Sequence, residues 1–318
     1  MTTVSYAGIS FPAPPLNPES RTAMMRSISW LEKHRIIEGE TQKKKLAAQR
    51  IDLMCGSFFP HGRGEVYAAL SDWIMLEAVM NDTYARIGPD TAARAQAEIA
   101  DITSVLDGSK LRPGTAFGSA FADVWPRLRD TGMPGHWQQR CTEVMRAYEN
   151  HYIRRTRGEA VFDSVEEFVD FHAMGSRVGY VFSELERRLP IAQRVYESEL
   201  VQQMMRTALL PYTIPHEEVA LSLDRRTGEQ HGLVVTLRRA TGCSEKQAVE
   251  KMHTLFERNW RKLLELEKKL PDLAEQLDLP PNDHRALHMY AEAMRRHIIG
   301  TVFCGPLMGR YSRDDTAL

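Results

Sequence analysis

The chain contains 318 residues, of which 43% are hydrophobic and 26% are charged. This length and composition allow a large buried core and exclude disorder as the main state of the chain. Its 41 Lys and Arg residues against 42 Asp and Glu residues give a net charge of −1, which excludes the basic surplus of a nucleic-acid-binding surface.

Prolines at positions 12, 14, 15 and 18 predict an irregular arm over residues 1–20. Beyond the arm, apolar residues recur with the helical period, and no alternating β-branched run is long enough to predict a sheet. Residues 21–318 are therefore expected to form one all-α domain of roughly ten helices. The expected helices lie at about 22–34, 40–54 and 61–86, after 89, after 118, at 134–157, after 164, and at 191–226, 232–240, 244–269 and 283–299.

Two of these helices contain residues that disfavour a continuous helix. Ser164 provides a capping signal for one of them, and Gly175 and Gly179 predict an interruption within it. In the segment 191–226, Pro211 and Pro215 predict a break or a kink, because proline lacks the amide hydrogen that a helix interior needs.

The four cysteines, at positions 55, 141, 243 and 304, form no CxxC pair. This spacing indicates neither a zinc site nor a disulfide framework, and free thiols are typical of the reducing cytosol. No apolar run of about eighteen residues predicts a membrane span, and no signal peptide is indicated at the N-terminus. We therefore expect a cytoplasmic protein.

Short segments rich in Trp, Arg and acidic residues are spread over nearly the whole chain. They include Leu70-Ser71-Asp72-Trp73, Trp125-Pro126-Arg127, Trp137-Gln138-Gln139-Arg140, Ser164-Val165-Glu166-Glu167-Phe168 and Arg310-Tyr311. Together and in this order, they resemble segments of the bacterial class I terpene synthases. The resemblance implies a single-domain class I terpene synthase α-helical fold. It also implies an apolar isoprenoid substrate that reacts through carbocations in a cavity between helices.

The first metal-binding motif of that family, DDxxD, falls on Asn81, Asp82 and Ala85. Carboxylates at positions i and i+4 share one helix face, where they can hold magnesium ions against a diphosphate. Only Asp82 keeps a carboxylate at these positions. The resemblance therefore leaves Asp82 either as a candidate metal ligand or as a residue that caps a contact between helices.

The second metal-binding motif, NDxxSxxxE, falls on His216, Glu217, Ala220 and Asp224. Histidine and alanine are poor partners for the hard magnesium ion, so Asp224 is the second candidate metal ligand. Its alternative is an ion pair with Arg225 or Arg226. The diphosphate-sensing arginine of the family falls on His172. These replacements predict that three-magnesium ionisation is altered or absent, and they leave magnesium open as a cofactor.

Three polar side chains are candidate catalytic groups, namely Glu77, His172 and His216. Glu77 lies one turn before Asn81, on the face that the resemblance directs into the cavity. A desolvated carboxyl there would keep its proton and could start cyclisation as a general acid on an alkene or epoxide. Its alternatives are a displaced metal ligand or a structural ion pair. The two histidines are expected to form a polar pair at the cavity mouth, or else to be core residues.

Five further residues are candidates for substrate binding: Trp73, Asn81, Phe171, Arg310 and Tyr311. The guanidinium of Arg310 can contact an anion, although it can equally tether a helix through an ion pair. Aromatic rings at helical spacing suit a core, and those that line a cavity can stabilise a carbocation.

The sequence supports two functions. The first is a non-standard class I terpene synthase-like enzyme that cyclises or rearranges an isoprenoid. Its first carbocation would form with the help of fewer metal ions or by protonation from an acid. The alternative is a non-catalytic descendant of the fold that binds an isoprenoid or a partner protein. The expected partner is a small isoprenoid, with no nucleic acid and no membrane span, and a homodimer stays open.

Overall fold

The computed structural model describes residues 3–84, 89–109, 113–156, 161–227 and 232–311. Helices dominate this part of the chain, as the periodicity predicts. In chain order they are α1 (Ser20–Lys33), α2 (Gly39–Ala48), α3 (Asp52–Phe58), α4 (Gly64–Tyr84), α5 (Pro89–Leu106), α6 (Ala116–Arg129), α7 (Gly135–Thr156), α8 (Val165–Arg187), α9 (Gln193–Tyr196), α10 (Glu199–Thr227), α11 (Leu233–Thr241), α12 (Glu245–Glu267), α13 (Leu270–Gln276) and α14 (Pro281–Cys304). None of the described helices is long and apolar enough to cross a membrane.

The arm that was expected to be irregular contains a β-hairpin, so that expectation was wrong for its first half. Strands β1 (Thr3–Tyr6) and β2 (Ile9–Pro12) pair antiparallel. Ala7 and Gly8, with φ of 47° and 76°, both adopt the left-handed conformation that a tight hairpin turn requires. Phe11, inside β2, packs edge-on against Trp260 of α12 at 5.1 Å. The prolines of the arm disfavour a strand in the sequence. Pro12, however, lies at the end of β2, where proline is tolerated.

The helix expected over 40–54 is divided into α2 and α3. Arg50, between them, has a φ of 56°, which the helical conformation does not allow. Its guanidinium donates two hydrogen bonds, of 3.0 and 3.1 Å, to the buried Asp52 carboxylate. This local contact holds the turn, and hydrophobic periodicity does not report it.

Helix α8 runs through both glycines, so the expected interruption was wrong. A Cβ atom on Gly179 would lie 2.6 Å from Cε1 of His297, which belongs to α14. The glycine therefore allows two helices to approach closely and does not end one. The predicted start of α8 is confirmed, because the Ser164 hydroxyl accepts a hydrogen bond of 3.1 Å from the Glu167 amide.

Helix α10 is not broken at Pro211 or Pro215. The chain instead turns earlier, between α9 and α10. Helix α10 packs against α8, α12 and α14, and this tertiary packing outweighs the local preference of proline.

Buried apolar side chains form two clusters, one mainly on α1 and α3–α7 and the other mainly on α8 and α10–α14. Helix α8 contributes to both. An ion pair of 2.6 Å between Arg140 of α7 and Glu184 of α8, both almost fully buried, fixes one end of this junction. The site described below lies at the other end.

Candidate active site in the helical cavity

A cavity of about 290 Å³ lies between α3, α4, α8, α10 and the C-terminal turn, which consists of two short 3-10 helices, Gly305–Leu307 and Gly309–Tyr311. Its volume is near the lower end of the range of small-molecule pockets, roughly 300–1,000 Å³. Aromatic and aliphatic side chains make up much of its wall. They include Met54, Phe58, Trp73, Ile74, Leu209 and Tyr212.

Three helices bring the polar candidates together because residues one turn apart share a helix face. Glu77 and Asn81 reach the cavity from α4, and His172 reaches it from α8. His216 lines it from α10. The segments that the resemblance aligned with the two metal motifs and the sensor thus surround one chamber.

Other candidates lie elsewhere. Phe171 is outside the cavity lining, because it is adjacent to His172 in sequence and points about 100° away around the helix. Its ring packs against Phe162 at 4.9 Å and beneath the guanidinium of Arg154 at 4.6 Å, positions that do not support a substrate-binding role. The side chains of Asp224 and Tyr311 lie outside the described part of the structure.

Arg310 and Asp82 form an ion pair at the polar end of the cavity. The Nη2 atom of Arg310 lies 2.6 Å from Oδ1 of Asp82, and Nη1 donates a 3.1 Å hydrogen bond to the Ala78 carbonyl. Gln49 donates a 3.4 Å hydrogen bond to the other oxygen of Asp82. Both oxygens of this carboxylate are therefore engaged within the protein.

The two histidines at this end have different surroundings. Burial, and then the positive charge of Arg310, lowers the pKa of His216 to about 4, so its imidazole is neutral at physiological pH. Nδ1 of His172 lies 2.9 Å from the Phe168 carbonyl, which can only accept a hydrogen bond. We therefore assign the ring proton of a neutral His172 to Nδ1, which makes Nε2 the acceptor nitrogen.

A second buried carboxyl, which sequence reasoning did not identify, lies on α7, the helix that packs against α4. Glu149 of α7 is 1% exposed, and neither of its carboxyl oxygens has a hydrogen-bond partner among the described residues. Burial, followed by the negative charge of Glu77, raises the pKa of Glu149 well above its ordinary value. A signal was present, since Glu149 continues the apolar stripe of Cys141 and Met145 at intervals of four residues.

The side chains at the two motif positions offer few oxygen ligands for the magnesium ions that the resemblance implies. Asp82 is paired with Arg310, and an oxygen of Glu217 accepts a 2.6 Å hydrogen bond from the Leu233 amide. Position 85 lies outside the described residues, and its alanine has no ligand atom. The described residues contain no group of three or more His, Cys, Asp or Glu side chains arranged to hold a metal ion. This part of the chain does not fit a three-magnesium cluster.

Sequence comparison supports the resemblance. A family model described as terpene synthase family 2, C-terminal metal binding, matches residues 72–262. Pentalenene synthase of Streptomyces exfoliatus is 23% identical over 307 residues, which cover 94% of this chain and 90% of that protein. Isoafricanol synthase of Streptomyces malaysiensis is 26% identical over 334 residues, which cover 95% of this chain and 80% of that protein.

Solved structures show the same fold. Linalool/nerolidol synthase from Streptomyces clavuligerus superposes with a TM-score of 0.80 at 20% identity, covering 93% of this chain and 99% of that one. Germacradien-4-ol synthase from Streptomyces citricolor superposes with a TM-score of 0.79 at 19% identity, covering 96% of this chain and 100% of that one. The expected all-α fold is confirmed.

Proposed function

We propose that this member of terpene synthase family 2, the bacterial class I terpene synthases, cyclises or rearranges an isoprenoid through carbocations. We propose further that it does so without three-magnesium ionisation. The Arg310–Asp82 ion pair is the observation that carries this proposal. The carboxylate left at the first metal motif is neutralised by a guanidinium of the same chain. A metal ion would have to displace that guanidinium before it could bind.

The cavity wall supports the carbocation part of the proposal. Apolar side chains exclude water, which would otherwise trap a cation, and the rings of Phe58, Trp73 and Tyr212 offer π faces that attract positive charge. Arg310 and neutral His216 provide a polar end that can orient an oxygen-bearing substrate.

The proposal is tested by incubating the enzyme with geranyl, farnesyl and geranylgeranyl diphosphates. Each reaction is run with magnesium or with a chelator and is analysed for pyrophosphate and for gas-chromatographic products. We expect no magnesium-dependent release of pyrophosphate. Such release together with a cyclised product, from any of the three, would contradict the proposal. Thermal stabilisation by an isoprenoid with no product from any substrate would instead favour the non-catalytic alternative.

A further inference from the structure

We propose that Glu77 and Glu149 form a proton-sharing carboxyl pair that starts the reaction by protonating a neutral isoprenoid at a carbon–carbon double bond or an epoxide. The substrate class is then an isoprenoid that lacks a diphosphate. This inference rests on the proposed function, and it assigns Glu77 as the acid that touches the substrate and Glu149 as the residue that positions its proton.

The placement of the two carboxyl groups supports these roles. Glu77 lines the cavity and is 8% exposed, whereas Glu149 is 1% exposed, on α7, which packs against α4. An ionised carboxylate without a hydrogen bond is very unfavourable in such a position, so Glu149 holds a proton. Burial, and then the negative charge of Glu77, raises the pKa of Glu149, so the pair holds one proton, which rests on Glu149 and can pass to Glu77.

The position of the pair along the cavity fits a substrate with a polar head and an apolar chain. Glu77 precedes Asn81 by one turn of α4, about 6 Å along the helix axis. Arg310, whose charge is balanced by Asp82, marks the polar end. An oxygen atom held at that end would leave the hydrocarbon chain beside Glu77.

The step balances without a co-reactant. Glu149 passes the shared proton to Glu77, and Glu77 transfers it to one alkene carbon. The π electrons form the new C–H bond, and a tertiary cation remains. A second double bond of the chain attacks the cation and closes a ring. Loss of a proton from the carbon next to the final cation returns the proton to the Glu77 carboxylate and leaves a new double bond. The net reaction is an isomerisation, and the proton returned to Glu77 passes back to Glu149.

Infrared spectroscopy of the full-length protein tests the proton state without any substrate. At neutral pH we expect a C=O band of a buried carboxylic acid that is present in the wild type and lost in Glu149→Gln. It is read as a difference spectrum, because burial also raises the pKa of Glu184 to about 7. The matched control is Glu143→Gln, an exposed position on the same helix, which should keep the band. Absence of the band in the wild type, or its persistence in Glu149→Gln, would overturn the inference.

Stability gives a second readout, because an acid retained for chemistry is unfavourable for folding. Glu149→Met replaces the buried carboxyl by an apolar chain of similar length, and we expect its Tm to rise by several degrees. A merely structural carboxyl would give a lower Tm in this variant, and that result would contradict the assignment.

Turnover separates this inference from the proposed function. Farnesol and its terminal epoxide are the probes, with chelator present. We expect kcat to fall on the order of 10²–10⁴-fold in Glu77→Gln and by at least about tenfold in Glu149→Gln, with KM unchanged in the latter. Glu65→Gln, an exposed position on α4, is the control. If the probes react and Glu149→Gln keeps full turnover, the pair is wrong and the proposed function stands. Magnesium-dependent release of pyrophosphate from farnesyl diphosphate would refute the proposed function instead.

Discussion

Arg310 and Asp82 hold the C-terminal turn against α4 at the scale of single residues. Arg310 is 8% exposed, so removing its partner leaves a nearly buried positive charge. We predict that Asp82→Asn lowers the free energy of unfolding by on the order of 3 kcal/mol, measured by urea denaturation. Asp130→Asn breaks the exposed pair with Arg129 and should lower it by less than about 1 kcal/mol. Equal, small losses in both variants would contradict this role of Arg310.

His216 gives the cavity a pH dependence whose sign is fixed by its lowered pKa. The imidazole takes up its proton near pH 6.5 in the unfolded chain and near pH 4 in the fold, so unfolding between these values binds a proton. Its contribution to stability is full above pH 6.5 and is lost as the pH falls toward 4. We predict that His216→Gln loses less unfolding free energy than the wild type as the pH falls through this range, by on the order of 1–2 kcal/mol.

Denaturant titrations at several pH values measure this effect. His288→Gln, at an exposed position on α14, is the control and should leave the slope unchanged. A wild-type slope in the His216→Gln variant would show that this histidine is not held neutral by the fold.

Helix α8 shows at the scale of an element why glycine signals mislead. The Cβ atom of an alanine would clash with His297 at position 179, whereas at position 175 it would meet Cε2 of Tyr148 at an ordinary 3.4 Å. His297 cannot easily move, because its ring stacks on Phe58 at 4.2 Å and Nε2 lies 3.0 Å from the Ser183 hydroxyl.

These two glycines make a matched pair of variants on one helix. We predict that Gly179→Ala lowers the free energy of unfolding by about 1–3 kcal/mol through overpacking. Gly175→Ala should be neutral or stabilising by up to about 1 kcal/mol, because alanine favours the helix. Thermal or urea unfolding distinguishes them, and equal effects at both positions would contradict the packing explanation.

The sequence predicted most of the helices because apolar periodicity reports the face that each helix buries. It failed where a contact between elements decides the backbone, as at Arg50 with Asp52 and at Gly179 with His297. Pro211 failed as a signal for the same reason, since the packing of α10 outweighs it. Local patterns state what a segment prefers and do not state what it packs against.

At the scale of the whole molecule, the fold and the position of the cavity could be predicted from the sequence. Which of the polar side chains pair with one another could not. The motif positions on α4, α8 and α10 indicated one chamber, and the structure brings Glu77, His172 and His216 together there. The Glu77–Glu149 and Arg310–Asp82 pairs each join residues far apart in sequence. No spacing rule connects such residues, because the complete fold sets their distance. A homodimer stays a prediction.

The central claim is that a proton, and not the departure of a metal-bound diphosphate, creates the first cation in this cavity. The deuterium content of a product formed from farnesol in heavy water, with chelator present, tests it most directly. We predict mass spectra in which each product molecule carries one added deuterium, because the exchangeable acid supplies the first proton. A product formed only from farnesyl diphosphate with magnesium, and free of added deuterium, would contradict the account.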